Sequence, residues 1–90
     1  MILEPQETFG KWVSQMRKQL RIRDDSSSQA KTGIYIYTIK RWEDNPEALP
    51  QTRTLIKLTE NLAKTTGESP QDILDTIMES IPEWRRINGK

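Results

Sequence analysis

The segment from Gly33 to Glu43, GIYIYTIKRWE, constrains the fold most, because its two halves favour different secondary structures. The first seven residues alternate and are mostly β-branched or aromatic, as in a strand. The last five are typical of one helical turn that ends in a buried tryptophan. The chain therefore has here either a strand of a small sheet or a helix that presents tyrosine and isoleucine side chains.

Thr8 is a suitable N-cap for a first helix, because its hydroxyl can accept a hydrogen bond from a free backbone N–H. Apolar residues follow at the spacing of one helical stripe: Phe9, Trp12, Val13, Met16 and Leu20. Four basic residues flank this stripe: Lys11, Arg17, Lys18 and Arg21. We therefore predict an amphipathic first helix with a basic flank.

The next segment, DDSSSQAKTG, is polar throughout. Asp24 or Asp25 could cap a short second helix, and Gly33 could end it in the left-handed conformation. A run of serines is also typical of a loop. We predict a short helix here and keep a loop as the alternative.

Two further helices are predicted after Asn45-Pro46, which should end the preceding helix. Gln51 to Thr66 carries one apolar stripe and Gly67 can terminate it: Leu55, Ile56, Leu58, Leu62 and Ala63. Ser69 and Pro70 suit the cap and first position of the other helix, whose apolar residues are Ile73, Leu74, Ile77, Met78 and Ile81.

Near the C-terminus, a short helical turn could restart from Ser80 to Glu83 and carry Trp84. A basic tail follows, with Arg85, Arg86 and Lys90. We find no internal repeat and no linker long enough to separate domains. Residues 1–90 are therefore predicted to form one domain, with a core at 8–66 and a C-terminal helix and tail at 67–90.

The residue types that are missing exclude much chemistry. The chain has no Cys and no His, so it cannot form a disulfide, a thiolate nucleophile or a zinc site of the usual kind. We expect neither an enzyme nor a bound metal or cofactor. No apolar run approaches the roughly 20 residues that span a bilayer, and the N-terminus lacks the pattern of a signal peptide. A cytoplasmic protein is expected.

The formal net charge is only +1, but the charges are unevenly distributed. Residues 1–23 hold five basic and two acidic side chains, residues 24–50 hold three and five, and residues 51–90 hold six of each. A protein with this balance does not bind nucleic acid by bulk charge alone. Any such binding must come from a local basic patch.

Five predicted helices in about 80 residues, with a short second helix and a glycine before the third, are typical of a helix-turn-helix arrangement. The order of several short motifs strengthens this pattern: Gly33-Ile34, Ile39, Arg41-Trp42-Glu43, Leu49-Pro50, and Leu55 to Leu58 with Leu62. With Phe9, Met16, Arg17 and Leu20 they resemble the lambda-repressor-like (XRE/Cro-type) DNA-binding domains over residues 8–66. The resemblance implies an all-α, five-helix helix-turn-helix bundle.

The resemblance favours a helix, and not a strand, for the segment from Gly33 to Glu43. In a strand, Ile34, Ile36 and Thr38 would share one face and Ile39 would lie on the other, which leaves the following Arg-Trp-Glu without a role. In the family, the Ile and the Trp of the third helix pack inward. We therefore expect Ile39 and Trp42 in the core, and Glu43 as a cap or as the partner of an arginine in the first helix.

The resemblance also implies a DNA-binding surface, because the family's third helix lies in the major groove. The corresponding residues here are Tyr35, Ile36, Tyr37, Lys40 and Arg41, with Arg53 near the start of the fourth helix. Arg41 has the planar fork that can bond twice to a guanine, and Lys40 suits a phosphate. The tyrosines could bond phosphates or pack on thymine methyl groups, Ile36 could do only the latter, and Arg53 could help a helix N-terminus hold a phosphate.

The implied function is a small sequence-specific transcriptional regulator of the repressor type that binds double-stranded DNA. A homodimer through the helix from Pro70 to Ile81 would contact two half-sites roughly 34 Å apart.

A second interpretation stays open because acidic residues fall where the family meets DNA: Asp25, Glu43, Asp44 and Glu47. Asp25 takes the place of a Gln that commonly reaches a phosphate. Usually apolar positions of the second helix fall on Ser28, Gln29 and Thr32, unless the turn is shorter and Ala30 points inward. The alternative is a repurposed helix-turn-helix domain, an adaptor or inhibitor that binds a protein through exposed Tyr35, Ile36 and Tyr37 and the acidic loop.

Overall fold

The segment from Gly33 to Glu43 folds as a turn followed by a helix, because only helical spacing brings its large apolar residues onto one face. Ile36, Ile39 and Trp42 are all buried in the core. Gly33 lies in the turn, and its φ of +74° suits a residue without a Cβ. The prediction of a helix that carries Ile39 and Trp42 inward is confirmed, and the strand is excluded.

A computed structural model describes residues 3–45 and 47–84, and its regular secondary structure in that part is entirely α-helical. The helices are α1 (Phe9–Gln19), α2 (Asp25–Thr32), α3 (Ile36–Asp44), α4 (Thr52–Thr66) and α5 (Pro70–Glu79). Residues 82–84 are also helical, at the end of the described part. Within these two ranges, no helix combines the length and the apolar character that crossing a bilayer requires. Pro46, Arg85, Arg86 and Lys90 lie outside the described residues.

The helix starts follow the local signals in the sequence. The hydroxyl of Thr8 accepts from the Lys11 N–H at 3.1 Å, and that of Ser69 accepts from the Asp72 N–H at 3.1 Å. Each bond satisfies one of the backbone donors that a helix leaves free at its first turn. The predicted caps of α1 and α5 are thus confirmed.

The polar segment after α1 is a helix and not a loop, because Asp24 caps it. The Asp24 carboxylate accepts from the Ser27 N–H at 2.8 Å, and the Ser27 hydroxyl oxygen accepts from the Asp24 backbone N–H at 3.2 Å. The Ser27 backbone N–H, and after it the Ser27 hydroxyl, hold the pKa of Asp24 below its usual range. Of the two candidate caps, Asp24 starts α2, which leaves Asp25 for another contact.

The inner face of α2 is polar, and its hydroxyls are satisfied by backbone groups of the turn into α3. The Ser28 hydroxyl donates to the Ile34 carbonyl at 2.6 Å, while the Thr32 hydroxyl donates to the Ser28 carbonyl at 2.7 Å. The same Thr32 oxygen accepts from the Ile34 N–H at 3.0 Å. Ser28 and Thr32 are buried and Ala30 is exposed, so the arrangement with Ala30 pointing inward is wrong.

Replacement of Thr32 by valine, which has nearly the same shape, is expected to lower the free energy of unfolding by about 1–2 kcal/mol. The valine leaves the buried Ile34 N–H without its acceptor. Urea denaturation followed by circular dichroism measures the change. Thr52→Val is the matched control, because Thr52 is exposed at the start of α4. Equal losses in the two variants would contradict a specific role for the Thr32 hydroxyl.

The apolar face of α5 closes the core of the chain itself. Ile73, Ile77 and Ile81 are buried against the other helices. The indole N–H of Trp12 donates to the Thr76 hydroxyl at 3.0 Å, which ties α5 to α1. The predicted dimer through the helix from Pro70 to Ile81 would need other residues of that helix, since these isoleucines are already used within one chain, whose small core needs their area.

Helix α3 is held against α1 by aromatic packing and by a close backbone approach. The ring of Phe9 lies edge-to-face on Trp42 at a centroid distance of 5.1 Å and stacks with Trp12 at 6.0 Å. At Gly10, a Cβ atom would lie 2.7 Å from the Trp42 carbonyl oxygen. The two helices can pack this closely only because Gly10 has no side chain.

Candidate nucleic-acid interface

Helix α3 has one buried and one exposed face. Tyr37, Lys40, Arg41 and Asp44 are exposed, and their spacing of three and four residues places them on one side of the helix. Tyr37 is 75% exposed. The outer face of α3, defined by these four residues, therefore combines an aromatic ring, two cations and one terminal carboxylate.

The expected exposure of Ile36 is wrong, because only 6% of this residue is exposed. Helix α3 begins at Ile36, and not directly after Gly33, so Ile36 shares the inner face with Ile39. Its side chain has too little free surface to pack on a thymine methyl group or to join a patch with the tyrosines. Tyr35, at the N-cap position of α3, is 62% exposed. The exposed patch predicted from Tyr35, Ile36 and Tyr37 is thus reduced to the two tyrosines.

A groove runs between the start of α3 and the first turns of α4, with a volume of about 240 Å³. It is lined by Gly33, Ile34, Tyr35, Thr38, Arg53, Thr54 and Lys57. Arg53 and Lys57 lie one turn apart on α4 and face the groove together. We call this feature the α3–α4 groove; it brings a phenol, two cations and two threonine hydroxyls to one place.

Lys57 also belongs to this groove, although it is not among the DNA-binding residues predicted from the sequence. Its spacing of four residues from Arg53 indicates that the two side chains share a side of the helix, but it does not show that they share that side with Tyr35. The structure brings Tyr35 and Arg53 together in the groove, whereas Tyr37, Lys40 and Arg41 lie on the outer face of α3.

The cations of this surface form no ion pair with a carboxylate among the residues that the structure describes. In the described part of the chain, ion pairs join Lys11 to Glu7 at 3.1 Å and Arg17 to Glu43 at 2.7 Å. The second pair confirms the expected partner of Glu43 and compensates its charge. Among the same residues, neither Lys40, Arg41 nor Arg53 forms an ion pair. Their positive charge is therefore available to an anionic partner.

Asp25 has a different role from the one expected of a residue in a DNA footprint. One carboxylate oxygen accepts from the Ile36 N–H at 3.0 Å, and the other accepts from the Gln29 side-chain amide at 2.6 Å. Asp25 therefore caps α3, whose own N-cap residue, Tyr35, makes no side-chain cap bond. Asp25 and Ile36 are eleven residues apart, and no spacing rule in the sequence indicates this contact.

The acidic residues of the last turn of α3 and of the loop after it line depressions other than the α3–α4 groove. Glu47 lies with Leu49 in a cleft against Ile81 and Glu83. Glu43 and Asp44 lie beside the start of α1. Neither depression shares a residue with the α3–α4 groove, so none of these acids lines the groove with Arg53 and Lys57.

This arrangement suits an extended polyanion better than a small molecule, since its charged groups lie on an exposed helix face and an open groove. No protein-family model matches the chain, and neither a curated protein nor a solved structure is significantly similar to it.

Proposed function

We propose that the chain is a small DNA-binding transcriptional regulator of the repressor type, with α2, the turn and α3 acting as a lambda-repressor-like helix-turn-helix. The observation that carries the proposal is the division of α3 into two faces. Ile36, Ile39 and Trp42 fix the helix to the core, and this leaves Lys40 and Arg41 on a face free to enter the major groove.

Arg41 is the residue we assign to base contacts. It is exposed, it forms no ion pair among the described residues, and its guanidinium can donate two parallel hydrogen bonds to the O6 and N7 of a guanine. Lys40, beside it, suits a phosphate oxygen. Tyr37 can pack on a thymine methyl group or donate its hydroxyl to the backbone.

The α3–α4 groove is assigned to the phosphate backbone. Arg53 lies in the first turn of α4, where the unpaired backbone N–H groups and the helix dipole also favour an anion. Lys57 adds a second cation and Tyr35 a hydroxyl donor. A backbone contact of this kind positions α3 on the duplex without selecting a sequence.

The proposed regulator is a homodimer that binds two DNA half-sites roughly one helical turn apart. The buried isoleucines of α5 cannot form its interface without opening the core. Leu74 and Met78 on the same helix are only partly buried and remain available for a contact between two copies.

Fluorescence anisotropy with labelled duplexes tests the proposal. We expect binding to random duplex DNA at low salt, with an affinity that falls as salt rises. Arg53→Ala should weaken binding to every sequence alike and lower the salt slope by about 1. Arg41→Ala should reduce discrimination against the wrong base by about tenfold at one position of a duplex selected from a random library.

Lys64→Ala is the matched control for loss of one positive charge. Lys64 is exposed in the last turn of α4, at the opposite end from Arg53. Its replacement by alanine should leave DNA binding unchanged. Absence of any binding to duplex DNA at low salt would refute the proposal.

The exposed tyrosines favour a second candidate function, a protein-binding adaptor or inhibitor built on the same helices. Tyr35 and Tyr37 are 62% and 75% exposed, and tyrosine is enriched where proteins bind one another. In that case, Tyr37→Ala would abolish capture of a protein partner while Arg41→Ala would leave it intact. If Arg41→Ala weakens binding to duplex DNA and Tyr37→Ala does not affect capture of any protein, the DNA-binding function is favoured.

A further inference from the structure

The Asp25 carboxylate occupies the N-terminal end of the helix that we assign to the major groove. It accepts the Ile36 N–H at 3.0 Å and is itself held by the Gln29 amide at 2.6 Å. The start of α3 is otherwise uncapped by a side chain. This part of α3 is therefore oriented by an internal anion, at the same end where Tyr35 and Tyr37 are exposed.

A helix N-terminus attracts phosphate because its free N–H groups and its dipole present partial positive charge. At α3 the carboxylate has already taken one of these N–H groups and brings a full negative charge. Tyr35, the residue before Ile36, also lines the α3–α4 groove with Arg53 and Lys57. Asp25 is not among the residues that line this groove, so its carboxylate would act on a phosphate there through space, from the N–H of the residue next to Tyr35.

We propose that Asp25 is a positioning residue that also limits the affinity for DNA. The oxygen that accepts from Ile36 fixes α3 against α2, while the charge on the same group weakens the contact with the phosphate backbone. The inference rests on the DNA-binding function proposed above. It assigns to Asp25 the role of keeping binding weak without loss of the geometry that binding needs.

The two effects can be separated because the cap needs an acceptor oxygen and the repulsion needs a charge. Asp25→Asn keeps an oxygen at the position that accepts from Ile36 but is neutral. The new side-chain amide can donate to the side-chain oxygen of Gln29 once the Gln29 side-chain amide has rotated so that its oxygen and nitrogen exchange places. Asp25→Ala removes both the cap and the charge.

Asp75→Asn supplies a matched control on α5. Asp75 also accepts a hydrogen bond from a Gln amide four residues away, Gln71, at 2.8 Å. It is exposed, and it caps no other helix among the described residues. The variant therefore makes the same change of charge on the same kind of side-chain pair, away from α3.

The test compares the wild type with Asp25→Asn, Asp25→Ala and Asp75→Asn, by anisotropy on a random duplex across a salt series and by thermal melting. We expect Asp25→Asn to bind about three- to tenfold more tightly at low salt, to lose this gain as salt rises, and to melt as the wild type does. Asp25→Ala should melt at a lower temperature. Asp75→Asn should match the wild type in both measurements.

Each other result overturns the inference. If the wild type binds DNA and Asp25→Asn binds equally or more weakly, Asp25 does not limit affinity, and the proposed function still stands. If Asp75→Asn gains as much as Asp25→Asn, the effect is only one of net charge. If neither the wild type nor any variant binds duplex DNA, both the proposed function and this inference are wrong.

Discussion

Replacement of Trp42 by alanine is expected to lower the free energy of unfolding by about 3–5 kcal/mol. Trp42 is 6% exposed and its ring meets Phe9 edge-to-face at 5.1 Å, so the change opens a cavity between α1 and α3. Small domains have about 5–15 kcal/mol of stability in total. We therefore expect the variant to be largely unfolded on moderate heating.

Urea denaturation followed by far-ultraviolet circular dichroism measures this loss without relying on tryptophan emission. Tyr37→Ala is the control, since it removes an aromatic ring from the same helix at a site that is 75% exposed. Its free energy of unfolding should change by no more than about 0.5 kcal/mol. Similar losses in both variants would mean that α3 does not have the buried and exposed faces described here.

The helix starts could be predicted from the sequence because their signals are local. Thr8, Asp24 and Ser69 each accept from a backbone N–H three residues ahead, a contact that depends only on nearby residues. The start of α3 has no such local signal, because its cap, Asp25, comes from the preceding helix. The sequence therefore did not show that Ile36 faces the core and not the predicted DNA-binding surface.

Tertiary contacts could not be predicted because periodicity identifies an apolar face but not what covers it. The isoleucines of α5 fit a dimer interface as well as an intramolecular core. The hydrogen bond from Trp12 to Thr76, which joins residues 64 positions apart, decides that α5 packs on its own chain. The polar inner face of α2 was equally ambiguous until the turn supplied partners for Ser28 and Thr32.

The net charge of residues 24–50 suggests a more acidic candidate site than the structure shows. Three of the five acidic residues in 24–50 make internal contacts: Asp24 caps α2, Asp25 caps α3 and Glu43 pairs with Arg17. Counting cannot distinguish a carboxylate that is paired with a cation, such as Glu43, from one that keeps its charge while it caps a helix, such as Asp25. The local basic patch required by the low net charge is formed instead by residues from two helices, with Arg53 and Lys57 on one of them.

Replacement of Gly10 by alanine is expected to lower the free energy of unfolding by about 2–3 kcal/mol. Helix propensity alone predicts the opposite, a gain of up to about 1 kcal/mol, because Gly10 lies within α1. The loss arises because the new Cβ would lie 2.7 Å from the Trp42 carbonyl oxygen. That oxygen is backbone and cannot rotate away, so α1 and α3 must separate and uncover Phe9.

Gly67→Ala separates this clash from the general cost of removing a glycine. A Cβ at Gly67 has no neighbour within 4 Å, but the φ of +81° disfavours any other residue, at a cost of about 1 kcal/mol. Denaturation of both variants in urea gives the comparison. If Gly10→Ala is as stable as the wild type, α1 does not approach α3 this closely. Since that approach and Asp25 together fix the angle of α3, the outer face would then be presented differently to any partner.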